Sequence, residues 1–99
     1  MAVLFRFTPS GMTSEQYGAV NQKLLAAGAW PPPGLLAHVC FGSSGSLRVS
    51  EVWESREQQA QFAEKLMPTL QGENVDLEGE PEVIEVEGYF MRDARQFGD

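Results

Sequence analysis

This 99-residue chain has only one cysteine, one histidine and seven basic side chains. Cys40 alone cannot close an internal disulfide, which excludes a cross-linked scaffold and suits a reducing compartment. Seven basic against fourteen acidic side chains leave a net charge of −7. A nucleic-acid partner needs basic surface to displace counterions, and an anionic membrane needs the same, so neither is expected. No apolar run approaches the roughly 20 residues that span a bilayer. The short run Ala2 to Phe5 is broken by Arg6, unlike a signal peptide, and a cytoplasmic protein is expected. One His, one Cys and scattered carboxylates supply no ordered ligand set, so no metal is expected either. Internal repeats and low-complexity segments are also missing.

What is present is ample apolar content, 42% of the residues, for a globular fold. The length fits one domain spanning residues 1–99, with a core over 2–90 and a tail over 91–99. Leu35 to Ser55 organises the rest. Leu35 to Phe41 is apolar apart from His38 and is bounded by Pro33-Gly34 and Gly42-Ser43-Ser44-Gly45. Leu47 to Glu54 alternates, with Leu47, Val49 and Trp53 on one face and Arg48, Ser50 and Glu54 on the other. Both read as strands, and Ser44-Gly45 is a plausible two-residue turn. That turn sets His38 opposite Glu51, Cys40 opposite Val49 and Leu36 opposite Trp53. A four-residue loop slides the register by two yet keeps the same faces, because the side-chain period is two. In both cases His38, Glu51, Cys40 and Trp53 share one face.

Around this hairpin, Ala2 to Thr8 forms a first strand. Thr13 and Gln16 have capping-box spacing, with Met12 and Tyr17 as a hydrophobic staple. Tyr17, Val20, Leu24 and Ala27 recur at helical spacing, and Gly28 ends the helix. Pro31-Pro32-Pro33-Gly34 predicts a stiff extended connector. Ser55 and Gln58 cap a second helix with the stripe Phe62, Ala63, Leu66, Met67 and Leu70. Pro68 predicts an end or kink near Met67. Residues 73–87 hold seven of the fourteen acidic side chains, without calcium-loop spacing, and read as a solvated face. Val83 to Phe90 is expected as the last strand.

The order β-α-β-β-α-β predicts an α+β, ferredoxin-like domain, a four-stranded antiparallel sheet with both helices on one face. The second strand is apolar on both faces, so a second subunit is expected over the open side of the sheet.

Trp53-Glu54-Ser55, ending a strand and capping a helix, resembles the W-E-S signature of antibiotic-biosynthesis-monooxygenase-like domains of the dimeric α/β-barrel superfamily. The runs Met12 to Tyr17, Pro32 to Val39 and Leu47 to Val49 are similar to small bacterial members of no settled function. The resemblance covers roughly residues 2 to 90. It implies a homodimer whose sheets pack face to face into a barrel, with pockets between each sheet and its helices. Relatives include cofactor-free monooxygenases of aromatic compounds, haem-degrading enzymes and proteins without demonstrated reaction, so no cofactor is implied. Two positions depart from these patterns. Phe62 stands where monooxygenase-like members often carry a histidine, seven residues after the serine. The first strand also lacks the asparagine used by haem-degrading relatives.

Two functions follow. In the first, a cofactor-independent enzyme acts on a small aromatic compound. His38 is the general base and Glu51 tunes it, while Trp53, Tyr17 and Cys40 line the substrate site. In the second, a non-catalytic dimeric binding or interaction module uses His38 and Glu51 only to hold the interface.

Overall fold

The computed structural model describes residues 1–92. Six elements follow in order: β1 (Val3–Phe7), α1 (Ser14–Ala26), β2 (Leu35–Phe41), β3 (Arg48–Trp53), α2 (Arg56–Gly72) and β4 (Glu82–Glu85). The sheet order is β2-β3-β1-β4 with every neighbouring pair antiparallel. This is the ferredoxin-like arrangement expected from the element order. No helix among the described residues is long and apolar enough to cross a membrane.

Alternation along the strands separates two faces. Val3, Phe5, Glu51 and Trp53 are buried on one, where they meet Val20 and Leu24 of α1 and Phe62 and Leu70 of α2. Trp53 is the largest fully buried side chain, at 0% exposure. On the opposite face Val39, Phe41 and Ile84 are exposed.

Local chemistry fixes both helix starts. Thr13 and Gln16 form a reciprocal capping box at α1. Ser55 accepts from the Gln58 backbone N–H at α2 and donates to the Gln58 side-chain oxygen. Gly28, in the left-handed region at φ +69, follows the α1 C-cap as anticipated.

Several expectations need correction. His38 pairs with Glu51 and Cys40 with Val49, but Leu35, not Leu36, pairs with Trp53. A register irregularity between Leu35 and Ala37 places one extra residue in β2, as in a β-bulge. It adjoins Gly34, at φ +89, whose carbonyl accepts from the Glu54 N–H. The proline connector is not extended throughout. It turns at Pro33-Gly34. Ala27 is exposed, and Asn21 takes the buried place in the α1 stripe. The second helix does not end at Met67, which is exposed, but runs through Pro68 to Gly72. The buried Leu70 anchors this last turn, and Thr69 donates to the Lys65 carbonyl beside the proline. The final strand is shorter than Val83 to Phe90. One further bond, from the Val86 N–H to the Ala2 carbonyl, extends its pairing. Most of the expected tail, residues 93–99, lies outside the described residues.

Candidate active site

Three elements bring their side chains to one point. The β2–β3 register sets His38 directly across from Glu51, and Trp53 follows two residues later on the same face of β3. The capping box fixes the start of α1, and Tyr17 stands in the first turn beyond it, over the sheet. The Tyr17 hydroxyl lies 2.7 Å from His38 Nε2, and His38 Nδ1 lies 2.7 Å from Glu51 Oε2. Trp53 Nε1–H donates to Glu51 Oε1 at 3.0 Å. Both carboxylate oxygens of a side chain only 4% exposed are therefore occupied.

The direction of these bonds follows from their chemistry. An ionised carboxylate only accepts, so Nδ1 carries the hydrogen towards Glu51. In that tautomer Nε2 presents its lone pair and accepts from the Tyr17 hydroxyl. Burial pushes the Tyr17 phenol up to about 12, with an Asn21 hydrogen bond lowering it in part and Cys40 and Glu51 raising it further. Tyr17 thus remains a neutral donor at any ordinary pH. Burial also raises the Cys40 thiol, which keeps it protonated and poorly nucleophilic.

The chain of bonds borders a cavity of about 60 Å³ between the sheet and the two helices. Tyr17, His38, Glu51, Trp30, Phe62 and Leu66 are among its walls. Trp30 meets His38 edge-on, with ring centroids 5.1 Å apart, and Phe62 packs against both tryptophans. Among the described residues no group of three or more His, Cys, Asp or Glu side chains could hold a metal ion.

Of the residues singled out in the sequence, Tyr17, His38, Glu51 and Trp53 form one hydrogen-bonded run. Tyr17 is bonded directly to the histidine rather than serving only as a wall. Trp53 lies behind Glu51 and is not among the cavity's walls, and neither is Cys40. Trp30 and Asn21 were not anticipated. An aromatic immediately before three prolines was the available signal for Trp30, whereas nothing distinguished Asn21 from a solvated helix residue.

No protein-family model and no curated protein matches this chain. Solved structures do. A candidate antibiotic biosynthesis monooxygenase from Chloroflexus aurantiacus J-10-fl is similar with a TM-score of 0.59 at 19% identity, over 89% of this chain and 97% of that one. SnoaB, a cofactor-independent oxygenase from Streptomyces nogalater, is similar with a TM-score of 0.56 at 15% identity, over 92% and 96%. A candidate antibiotic biosynthesis monooxygenase from Deinococcus radiodurans gives 0.55 at 15% identity, over 95% and 100%. The likeness is one of fold, and it is the fold that the W-E-S resemblance implied.

Proposed function

We propose that this chain is a cofactor-independent, monooxygenase-like enzyme acting on a small phenolic compound. The observation that carries the reading is the Tyr17–His38–Glu51 run against a cavity, a base held in one tautomer by a buried carboxylate.

The substrate hydroxyl hydrogen-bonds to the Tyr17 oxygen. As the Tyr17 proton passes to His38 Nε2, the substrate proton replaces it, and Glu51 stabilises the imidazolium that forms. Tyr17 is a relay that never stores charge, in keeping with a phenol pushed up to about 12. The electron-rich phenolate then reacts with dioxygen. A conjugated CH₂ that becomes C=O supplies all four electrons dioxygen needs, one oxygen atom entering the product and the other leaving as water. Chemistry of this type needs no cofactor.

The test is dioxygen uptake by the purified protein with a panel of one-ring phenols that carry a CH₂ para to the hydroxyl, beside Tyr17→Phe. The variant is expected to bind phenols more weakly, having lost the oxygen that meets the substrate hydroxyl, and to lose about 10²-fold in turnover, the low end for a group that moves the proton. Saturable phenol binding without uptake would leave the non-catalytic module instead. At about 60 Å³ the cavity admits a ring only when a wall side chain moves, because an engineered cavity that takes benzene measures about 150 Å³.

The same proposal makes the protein a homodimer, closed through the sheet face that exposes Val39, Phe41 and Ile84. Val39 and Phe41 stand two residues apart on β2 and Ile84 stands on the far edge strand, so apolar side chains face outward at both edges of this face, as at an interaction surface. Native mass spectrometry is expected to show a dimer, and Val39→Asp, a charge placed in the patch, is expected to shift it to monomer. A monomeric wild type would remove the barrel.

A further inference from the structure

Phe62 borders two spaces. One is the 60 Å³ cavity with Tyr17 and His38 in its walls, and the other is a groove of about 160 Å³ between the proline loop and α2. Pro31, Pro32 and Pro33 form one side of the groove, and Gln58, Gln61 and Lys65, one helical turn apart in succession, form the other. The inner cavity is too small for a ring while Phe62 stays in place. The groove is larger and different in kind: two amides and an ammonium against an inner wall that is otherwise mostly apolar. Lys65 makes no ion pair among the described residues, unlike Lys23, which is paired with Glu73. In a chain of net charge −7, Lys65, unpaired among the described residues and lining the groove that shares Phe62 with the cavity, is a place where a carboxylate is favoured.

We infer that the cavity and the groove are two chambers of one elongated site divided by the Phe62 ring, and that its ligand is a hydroxyaryl acid. The phenol end reaches Tyr17, the ring takes the space Phe62 yields, and a short carboxylate arm lies in the groove beside Lys65, Gln58 and Gln61. This rests on the proposed function for the inner chamber and adds the substrate class. Phe62 is then the residue that sets which ring can enter.

Calorimetric titration with phenol and with para-hydroxyphenylpropionate tests it. Wild type is expected to bind the acid about fivefold tighter than phenol, the scale of a solvent-facing ion pair. Added salt should shrink that advantage. Lys65→Glu, an exposed helix position, should erase the advantage and leave phenol affinity unchanged. Phe62→Leu should tighten the acid severalfold, because less side chain must be displaced. Equal affinity for the two compounds in wild type, or an advantage surviving in Lys65→Glu, overturns the groove assignment while leaving phenol binding, and so the proposed function, intact. An unchanged acid affinity in Phe62→Leu overturns the partition. Failure of wild type to bind either compound overturns the inner site and this inference together.

Discussion

Replacing His38 by glutamine is expected to cut turnover by about 10³-fold while the protein stays folded. The amide of glutamine can donate to Glu51 and accept from Tyr17, so the hydrogen bonds at 2.7 Å on either side of the imidazole have successors. What it cannot do is take up a proton. His38→Ala removes the base as well, but it leaves a buried carboxylate with Trp53 as its one remaining donor at this site. Leaving a buried carboxylate short of one hydrogen-bond donor costs about 1–3 kcal/mol or more. The two variants therefore separate chemistry from architecture. Initial rates of dioxygen uptake and urea melts on the same preparations make the comparison. If glutamine supports wild-type turnover, His38 is not the base. If alanine dissociates the proposed dimer while glutamine leaves both assembly and turnover unchanged, the non-catalytic reading gains instead.

Trp53→Ala is expected to lose about 3–5 kcal/mol of folding stability. The indole is entirely buried, packs on Phe62 at 5.7 Å between ring centroids, and stands at the join of β3 with α2. Since a domain of this kind is stable by about 5–15 kcal/mol in all, that variant should give up a large share of its stability and unfold at a much lower urea concentration. Trp53→Phe is the more informative change. It keeps most of the apolar area and removes the N–H that donates to Glu51, for a cost of about 1–3 kcal/mol. A urea midpoint for Trp53→Phe equal to wild type would show that the bond to Glu51 adds nothing to stability.

Much of this arrangement was legible from residue spacing because the hairpin constrains itself. A period of two keeps His38, Glu51 and Trp53 on one face in either register considered, and the Ser44-Gly45 turn selects the pairing seen between His38 and Glu51. The capping residues Thr13 and Ser55 act within four residues of chain, so the helix starts could be read locally. What failed depended on distant parts of the chain. The extra residue near Leu36 answers to packing of Leu35 against the core, which no local pattern encodes. Pro68 is accommodated because Leu70 is held by tertiary burial that outweighs one lost backbone bond. The Tyr17–His38 contact joins α1 to β2 across the site and was invisible as a pair, though each residue was singled out alone.

Both tryptophans of the chain touch the same few atoms of chemistry. Trp53 is hydrogen-bonded to Glu51, and Trp30 meets the His38 ring edge-on. Tryptophan emission responds to charge and hydrogen bonding at the indole, and an imidazolium nearby quenches it. The protein accordingly carries an intrinsic optical reporter, with no label to attach and no background from a remote indole. Its fluorescence should follow the arrival of a ligand in real time, which makes the buried site observable in the unmodified protein.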